Sequence, residues 1–569
     1  MVDTLSSTFD VVVIGAGING VAIARDAALR GLRVVLLEQD DICSGVSAWS
    51  GRLVHGGLRY LEHRDFALVR ESLRERESLF VQAPHLVKPV RLLMPFYRHN
   101  RRPGWMIRLG MIAYDVLSFD KKSARHEILS EPRTRQRFSG IGTDGLSGAA
   151  VFTDGQVVYA ERLCVELAVA AAGDGAVIRT HARVEEPIME DGRSGSRIVG
   201  VRYRDTDTGR MHEVRGSVIM NVAGPWIDRI FTTGAEGQPR LNGGTKGSHL
   251  VVDPFPGAPT DVVYYESRRD GRLVLVIPWM GRYLLGTTDI RFDGDPDDAR
   301  CDADEMQYIL DEVNGLVPGA NLTPDDVLYT LSGVRPLPYA PGVAESSVPR
   351  THVLHEHDGS VNGLITVVGG KLTTHRQLAQ DAVDLAFSKL GRPAPKCVTK
   401  FLPFPGAVGD VAAVRRELLG AGLSARSADR LVTVYGGRAP EVLALAAEDP
   451  DLLAVVHEPT GAIGAELVFA TRVEFARTLA DVMARRTLLA FEPGHALPEV
   501  DTIAAVLGDR LDWDEARRER EIAGYRTWLD HLAVPSTAAP APPTGRDTRS
   551  DPGVAVGASG TPDPDGIRP

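Results

Sequence analysis

Cysteine is scarce in this sequence: the 569 residues include only four, at Cys43, Cys164, Cys301 and Cys397, and no two of them are close together. This spacing excludes a Cys-x-x-Cys dithiol and a cysteine-based zinc cluster. Such sparse cysteines are typical of a reducing compartment. We therefore expect a cytoplasmic protein without a metal site.

Long apolar runs and an excess of basic charge are also missing. No apolar run of about 18 residues occurs, so we expect no helix that crosses a bilayer, and the N-terminus lacks the pattern of a signal peptide. The formal net charge of −11 argues against a nucleic-acid-binding protein, because such proteins carry a basic surface. With 43% hydrophobic residues, the chain has the composition of a globular protein of two or three domains.

A glycine-rich turn lies between two apolar segments near the N-terminus. Residues 9–14 predict a buried strand, Gly15-Ala-Gly17-Ile-Asn-Gly20 follows directly, and a helical pattern leads to a second strand that ends at Glu38. A G-x-G-x-x-G turn that opens a helix can bind a pyrophosphate, and an acid at the end of the next strand can bind ribose hydroxyls. The pattern favours a dinucleotide site, and a tight turn in some other α/β protein is the alternative.

Two later glycine-rich segments indicate which dinucleotide is bound. The sequence VIMNVAGPWID (218–228) ends a predicted strand at Gly224, and VVGGKLTTH (367–375) ends another at Gly369 and Gly370. An enzyme that passes electrons to a nicotinamide would often carry a second G-x-G-x-x-G turn. This sequence contains a single such turn. A nucleotide domain completed by such distant segments fits an FAD protein with a substrate sheet inserted between them.

The rest of the chain divides into segments of different pattern. Residues 65–130 have a largely helical pattern, and residues 245–340 alternate like an antiparallel sheet. We predict a discontinuous FAD-binding domain (9–85, 150–240 and 345–395), a substrate domain (86–149 and 241–344) and a C-terminal helical domain (400–533). Residues 534–569 contain eight prolines and no aromatic residue, which predicts a disordered tail.

A set of short motifs then carries a family resemblance. After the glycine-rich turn, the chain contains, in order, HGGLRYLE (55–62), NVAGPW (221–226), KGSHLVV (246–252), GTTD (286–289), SGVRPL (332–337) and GGKLTTHR (369–376). Together they resemble the FAD-dependent, quinone-reducing glycerol-3-phosphate dehydrogenases. The resemblance implies an α/β fold with a Rossmann-like FAD-binding domain of the glutathione-reductase and D-amino-acid-oxidase type, an inserted antiparallel substrate domain and a C-terminal helical domain.

The same resemblance implies an activity and a set of site residues. The activity is oxidation of sn-glycerol 3-phosphate to dihydroxyacetone phosphate, with hydride passing to flavin N5 and electrons to a membrane quinone. His249 is then the expected general base and Arg335 the group that favours alkoxide character; a structural histidine is the alternative for His249. The residues expected to bind the substrate are Arg59, Tyr60, Lys371 and Thr374. The residues expected to bind FAD are Gly15, Gly17, Asn19, Gly20, Glu38, Ser47, Ser50, Arg52, His55, Gly57, Val184, Gly224, Leu372 and Thr373.

Three segments depart from the family pattern, and in one of them the usual Thr-Thr-Tyr-Arg appears as Thr373-Thr374-His375-Arg376. Where the family usually has Thr-Ser-Ser-x-Ser-Ser/Thr-Lys-Leu, this chain has Val46-Ser47-Ala48-Trp49-Ser50-Gly51-Arg52-Leu53, so three hydroxyls are missing and an arginine replaces the lysine. The usual Asp-Ala-Arg-Leu appears as Ala160-Glu161-Arg162-Leu163. Because the hydroxyl groups normally face the cofactor, we expect a change in flavin affinity or redox potential.

One stretch is basic within an acidic chain. Residues 88–108 hold six lysines or arginines and no acidic residue, and the aromatic and aliphatic residues among them are Phe96, Tyr97, Trp105, Met106 and Ile107. This combination predicts docking on the anionic inner face of the cell membrane, where a quinone is accessible. A helix with one solvated basic face is the alternative.

Other functions stay open at this level. The flavin could be reoxidised by O2, as in a glycerol-3-phosphate oxidase, or the enzyme could act on another hydroxy or amino acid. A flavin-binding interaction protein without turnover is a third alternative. The sequence also leaves open whether the protein is a homodimer and whether FAD is covalently attached.

Overall fold

The structure is a computed structural model that describes residues 8–58, 65–119, 123–192, 195–231, 240–343, 348, 350–357 and 362–536. The expected tail from residue 537 onward lies outside these residues. The strands are β1 (Thr8–Ile14), β2 (Val34–Leu37), β3 (Leu53–Val54), β4 (Val87–Tyr97), β5 (Glu127–Ser130), β6 (Leu146–Val157), β7 (Val177–Arg179), β8 (Ala182–Gly192), β9 (Gly195–Asp205), β10 (Met211–Asn221), β11 (Thr245–Val252), β12 (Val262–Glu266), β13 (Leu273–Trp279), β14 (Arg282–Gly286), β15 (Ile290–Arg291), β16 (Val327–Arg335), β17 (Val353–Glu356), β18 (Leu364–Val368), β19 (Val455–His457) and β20 (Ala462–Ile463). The α-helices are α1 (Ile18–Leu29), α2 (Phe66–Gln82), α3 (Gly104–Leu117), α4 (Glu131–Arg137), α5 (Ala160–Gly173), α6 (Ala303–Leu316), α7 (His375–Lys389), α8 (Val411–Gly420), α9 (Ala425–Tyr435), α10 (Ala439–Glu448), α11 (Gly464–Arg472), α12 (Leu479–Asp481), α13 (Val500–Leu511) and α14 (Glu515–Trp528).

The first sheet is the parallel sheet that the apolar segments predict. Its strand order is β17-β18-β10-β1-β2-β7, with parallel pairing from β18 through β7. Alternate residues of β1 face opposite sides, as the two-residue period of a strand requires: Val11 and Val13 pack with the helical layer, whereas Val12 and Ile14 pack with β8, β9 and β10. Both faces are therefore covered, which explains the continuous apolar strands.

Distant parts of the chain meet at one edge of this sheet. Strand β10 ends at Asn221 and lies beside β1, and β18 ends at Val368 and lies beside β10. The glycines that follow β1, β10 and β18 are therefore brought together at the carboxyl edge. Ligands of parallel sheets bind at this edge. The predicted fold class, an α/β fold with a parallel sheet, is confirmed.

The second sheet supplies the wall opposite the cofactor edge. Its order is β15-β11-β14-β13-β12-β4-β6-β3, and β16 also pairs with β11. The antiparallel pairing of β11 with β16 places His249 across from Leu331 and Thr245 across from Arg335. Helix α6 packs on one face of the sheet, with Ile309 and Val313 in its core. The KGSHLVV and SGVRPL motifs are therefore neighbours in one sheet.

Residues 65–130 differ from the largely helical pattern expected for them. Helices α2 and α3 are present, but the 11-residue strand β4 lies between them and pairs along its whole length with β6. Residues Met94, Phe96 and Tyr97 of this strand are buried. The basic stretch 88–108 is therefore a strand that is buried from Leu92 to Tyr97, followed by a short connection and the start of a helix, because pairing with β6 outweighs the local pattern.

The C-terminal region is helical, from α8 to α14, with one short hairpin of β19 and β20. Buried ion pairs join it to the first sheet. Arg486 donates two hydrogen bonds to Asp41, at 2.7 and 2.8 Å, and Arg162 of α5 forms a fully buried pair with Glu474. Pairs of this kind are strongly destabilising when one partner is removed, so they tie the helices to the FAD-binding domain.

Candidate active site

A cavity of about 390 Å³ opens where the carboxyl edge of the first sheet faces β11 and β16 of the second. Most of the predicted site residues line it. These are Gly15, Gly17, Asn19, Glu38, Ser47, Ser50, Arg52, His55, Val184, Gly224, His249, Arg335, Lys371, Leu372 and Thr373. Three predicted residues, Gly20, Gly57 and Thr374, are absent from the lining, and Arg59 and Tyr60 lie outside the described residues.

The glycine-rich turn fits a dinucleotide because two of its glycines have no room for a side chain. A Cβ on Gly15, whose φ is +107°, would lie 2.7 Å from the carbonyl oxygen of Val222, and a Cβ on Gly20 would lie 1.8 Å from the carbonyl of Gly15. Gly20 thus packs α1 against the turn rather than facing the ligand. The amide of Ile18, at the start of α1, donates to Ser47 Oγ at 3.1 Å. The resulting helix N-terminus is a ready anion site.

Glu38 directly follows β2 and lines the cavity. Its carboxylate accepts hydrogen bonds from the amides of Ala16, at 2.6 Å, and Asp40, at 3.0 Å. Burial, reinforced by the charge of Asp40, raises the pKa of Glu38 to about 7. An acceptor held in this way at the end of β2 suits ribose hydroxyls, so the donor and acceptor set fits FAD.

Arg335 projects from the end of β16 into the cavity and is held on several sides. Its guanidinium donates to Asp289 Oδ1 at 2.9 Å, to Thr287 Oγ1 at 3.1 Å and to the carbonyl of Thr288 at 3.1 Å. A Cβ on Gly247 would lie 2.1 Å from the guanidinium, so the glycine of KGSHLVV makes room for it. The orientation of Arg335 is therefore fixed before any ligand binds.

Arg350 is a cavity residue that the sequence analysis missed. It lines the cavity with Arg335 and Lys371, and its guanidinium lies 3.4 Å from Asp289 Oδ2. One carboxylate thus orients two arginines. No motif marks Arg350 in the sequence, because it lies in an irregular segment before β17; its pairing with the Asp289 of GTTD is visible only in three dimensions.

Lys371 follows Gly370 and is largely buried. Its ammonium donates to Ser72 Oγ at 3.3 Å. Burial lowers the pKa of Lys371 to about 7, although Glu71 and Asp65 act in the opposite direction. An anion that binds beside Lys371 favours the protonated, positively charged form of its side chain.

His249 is buried on β11, and neither ring nitrogen has a hydrogen-bond partner in the described part of the chain. Burial, together with the positive charges of Arg335 and Arg52, lowers the pKa of His249 to about 3, so the ring is neutral near pH 7. A Cβ on Gly51 would lie 3.2 Å from Nε2. In the described residues neither nitrogen makes the hydrogen bond expected of a structural histidine, and the neutral ring has a lone pair that can accept a proton.

Three residues of the motifs, Arg52, Gly56 and Thr374, make contacts within the protein. The guanidinium of Arg52 is bound to Glu161 at 2.7 Å and lies 4.6 Å from the ring centre of Trp279. Position 56 has no room for a side chain, because a Cβ on Gly56 would lie 2.3 Å from the hydroxyl of Tyr114. Thr374 begins α7 as its N-terminal flanking residue and is buried. Gly56 and Thr374 therefore lie behind the cavity lining, whereas Arg52 is part of the lining and is held there by Glu161.

Helix α3 has one buried face and one exposed apolar face. Ile107, Met111 and Tyr114 form its buried face. The opposite face consists of Trp105, Leu109, Ile112 and Val116, and Phe119 continues it beyond the end of the helix. These five residues are each 53–79% exposed. No helix in the described part of the chain is long and apolar enough to span a membrane.

The fold and the cavity together define an FAD-dependent oxidoreductase. Residues 10–376 match the family model for FAD dependent oxidoreductases, and residues 397–518 match the C-terminal domain of alpha-glycerophosphate oxidase. The chain belongs to the family of FAD-dependent glycerol-3-phosphate dehydrogenases.

Individual relatives agree over nearly the whole chain. The chain is 42% identical to the glycerol-3-phosphate dehydrogenase of Synechocystis, covering 93% of this chain and 98% of the relative. It is 31% identical to the aerobic glycerol-3-phosphate dehydrogenase of Bacillus subtilis, covering 94% and 97%. The structure of glycerol-3-phosphate dehydrogenase from Bacillus halodurans, complexed with FAD, superimposes with a TM-score of 0.76 at 26% identity, covering 92% and 95%.

Proposed function

We propose that this enzyme oxidises sn-glycerol 3-phosphate to dihydroxyacetone phosphate and passes the electrons to a membrane quinone. The observation that carries the proposal is the convergence of Arg335, Arg350, Lys371 and a neutral His249 on one cavity at the FAD edge of the first sheet. The substrate has a phosphate and a secondary hydroxyl, and this residue set has cations for the first and a base for the second. Relatives named for the same substrate support the assignment.

The phosphate is bound by the cationic side chains. Arginine offers paired donors that match phosphate oxygens, whereas lysine supplies a compact charge. We assign the phosphate to Arg350 and Lys371, together with Arg59 and Tyr60 of HGGLRYLE. The carboxylate of Asp289 keeps Arg350 in place, so little ordering is needed when the substrate binds.

The hydroxyl is handled by His249 and Arg335. Bound FAD supplies a hydride acceptor. The neutral imidazole of His249 takes the hydroxyl proton as the carbon–hydrogen bond breaks. The guanidinium of Arg335, held by Asp289 and Thr287, stabilises the negative charge that develops on the oxygen. The proton gained by His249 is stabilised by the phosphate dianion, which acts against the burial and the positive charges of Arg335 and Arg52 that lower the pKa of His249.

The membrane contact is the exposed face of α3, with an anionic lipid surface as the occupant. Its apolar residues suit the acyl boundary, and the nearby exposed cations Arg98, Arg101 and Arg108 suit lipid phosphates. The buried face of the helix reaches the active-site segment, because Gly56 N donates to Tyr114 Oη at 3.1 Å. Docking on this face brings the flavin side of a peripheral, cytoplasmic-side enzyme near the quinone pool.

A second acceptor, O2, is favoured by one observation. The C-terminal region matches a domain described for alpha-glycerophosphate oxidase, and an oxidase would transfer the same two electrons to O2 and release hydrogen peroxide. Action on another hydroxy or amino acid, and a flavin-binding protein without turnover, are outcomes that the same experiment separates.

The test is anaerobic mixing of the FAD-loaded protein with glycerol 3-phosphate, followed by the absorbance of oxidised flavin. We expect bleaching by glycerol 3-phosphate but not by glycerol or glycine. Subsequent addition of a quinone analogue under nitrogen should restore the absorbance faster than addition of air. Restoration by air with stoichiometric peroxide identifies the oxidase, and no bleaching at all contradicts the proposed substrate.

A further inference from the structure

Helix α6 carries a buried glutamate that the proposed reaction does not use. Glu305 lies in the first turn of α6 and is 2% exposed. Its Oε2 atom accepts a hydrogen bond from the backbone N–H of Asp302, at 3.2 Å, and lies 2.8 Å from Nζ of Lys246. Asp302 in turn accepts from the backbone N–H of Glu305, so the two residues form a capping box. These contacts account for Oε2 but not for the second carboxylate oxygen, Oε1.

The partner of Oε1 is a threonine of the GTTD motif. The hydroxyl of Thr288, which is 2% exposed, donates to Oε1 of Glu305 at 2.5 Å. The same hydroxyl oxygen accepts from the backbone N–H of Ser248, at 2.9 Å. A hydroxyl has one hydrogen to donate, and the amide of Ser248 is the donor of the second bond. The hydroxyl hydrogen is therefore directed to Glu305.

Thr288 connects the two groups that we assign to the substrate hydroxyl. On one side, Ser248 directly precedes His249 on β11. On the other side, the carbonyl of Thr288 accepts from the guanidinium of Arg335 at 3.1 Å, and the residues that flank Thr288 in the sequence accept from the same guanidinium. A shift of Thr288 therefore moves the acceptors that hold Arg335 relative to the strand that carries His249.

The segment that carries Thr288 depends on the bond to Glu305. Residues 287–289 connect β14 to β15. The backbone N–H of Thr288 donates to the carbonyl of Ser248 over 3.4 Å, which is long for a hydrogen bond. Glu305, in contrast, belongs to a helix whose residues Ile309 and Val313 pack in the core against the second sheet. The bond to Glu305 is therefore a stronger restraint on this segment than its own backbone contact.

From this contact we propose that Glu305 is a positioning residue for the oxidation step. Through Thr288, it fixes the segment that orients Arg335 and keeps the guanidinium at a constant distance from His249. Both groups then meet the substrate hydroxyl in the geometry that the reaction requires. A side chain held at both oxygens on a packed helix is a suitable support for such a segment. This inference rests on the function proposed above, because it concerns the groups assigned to the hydroxyl.

Two variants of α6 separate positioning from helix capping. Glu305→Ala removes the acceptor of Thr288 together with one bond of the capping box and one contact to Lys246. Asp302→Ala removes the other bond of the capping box and the other contact to Lys246, but it leaves the acceptor of Thr288 in place. Each FAD-loaded variant is mixed anaerobically with glycerol 3-phosphate, and the rate of flavin reduction is measured per bound flavin.

The limiting rate of flavin reduction is the quantity that separates the two variants. We expect Glu305→Ala to lower it about tenfold to a hundredfold, because Arg335 is displaced from the reacting oxygen. The concentration of glycerol 3-phosphate that gives half the limiting rate should change less, by at most about fivefold, since Lys371 still binds the phosphate. Asp302→Ala should change both quantities by less than about twofold.

Thr288 supplies a conservative pair that leaves the helix untouched. Thr288→Val keeps the shape of the side chain but lacks the hydroxyl, so it should lose at least as much of the limiting rate as Glu305→Ala. The double variant should be within about twofold of Thr288→Val, because both changes remove the same bond. Thr288→Ser keeps the hydroxyl and should recover most of the rate. A purely structural role of Glu305 would lower the melting temperature without this shared, non-additive loss.

Crystal structures of the FAD-loaded Glu305→Ala and Asp302→Ala proteins test the inference without substrate. We expect the guanidinium of Arg335 to be displaced in Glu305→Ala and to keep its place in Asp302→Ala. The inference is overturned if Arg335 keeps its place in Glu305→Ala, or if the two variants are reduced at equal rates. A parent enzyme that glycerol 3-phosphate does not reduce would instead reject the proposed function, and the position of Arg335 would still decide the role of Glu305.

Discussion

Arg52 and Glu161 form a two-bonded ion pair in which both nitrogen–oxygen distances are 2.7 Å and neither side chain is exposed. Each residue is a departure from the family pattern, because lysine and alanine are usual at these places. The structure brings the two departures into contact, 109 residues apart in sequence. The change from lysine to arginine is therefore accompanied by the carboxylate that a permanently charged buried group requires.

The first prediction is that these two positions act as a unit. Glu161→Ala leaves the buried guanidinium of Arg52 without its carboxylate and with only the carbonyl of Ala48 as a hydrogen-bond acceptor, and we expect a loss of about 3–5 kcal/mol in the free energy of unfolding. The double variant Arg52→Lys/Glu161→Ala should lie much closer to the original protein, because a buried lysine can lose its proton whereas arginine cannot. Thermal unfolding followed by flavin release measures both. A double variant as unstable as Glu161→Ala would contradict the coupling.

The second prediction concerns Arg335. Arg335→Ala should lower kcat with glycerol 3-phosphate by about a hundredfold to a thousandfold, the usual loss when one charge-stabilising donor is removed. FAD content should be unchanged. The matched control is Arg268→Ala, since Arg268 is an exposed arginine that does not line the active-site cavity. Normal turnover in Arg335→Ala would exclude the role assigned to this residue.

The third prediction concerns Asp289, which orients two arginines at once. Asp289→Asn removes the charge that holds Arg335 and Arg350, so we expect both a higher KM for glycerol 3-phosphate and a lower kcat, together about a hundredfold in kcat/KM. Asp289→Glu should recover part of the loss, because it restores the charge. Steady-state kinetics at saturating acceptor measure the split between KM and kcat. An Asp289→Asn enzyme that loses only FAD would show a role in the cofactor site instead.

The fourth prediction is a pH dependence that belongs to Lys371. With a pKa of about 7 in the free protein, Lys371 loses its charge as the pH rises, so kcat/KM should fall about tenfold per pH unit above that value. Lys371→Arg keeps its charge and should shift this alkaline decline upward by several pH units. Neutral His249 contributes to the acidic limb, because protonation of it abolishes the base. An unchanged alkaline limb in Lys371→Arg would assign the decline to another group.

The fifth prediction concerns the exposed face of α3. Leu109→Glu and Val116→Glu place charge on this face and should weaken co-sedimentation with anionic phospholipid vesicles by about tenfold each. Met211→Glu, at an exposed apolar residue of β10, is the control and should bind normally. Binding should also fall as salt is raised, because cations contribute to it. Equal binding by all three variants would remove α3 from the membrane contact.

The local features of the chain were readable in advance. Apolar runs at 11–14 and 34–37, with glycines at 15 and 20, predict β1, α1 and β2, because each element is set by neighbours a few residues away. The later motifs also predict which segments return to the cofactor edge. The parallel sheet, the FAD site and most cavity residues followed from these short patterns. Strand β4 did not, since its apolar residues are buried by pairing with β6 some 60 residues later.

By itself, the sequence determined that an FAD-binding α/β domain exists and which motifs face its cavity, because those motifs encode backbone shape and burial locally. Only the tertiary structure decided how the charges are matched: Arg350 shares Asp289 with Arg335, and Arg52 pairs with Glu161. It also decided that one apolar face of α3 is exposed. An ion pair needs two side chains within a few ångströms, and that proximity is set by the packing of the sheets and helices rather than by any spacing along the chain.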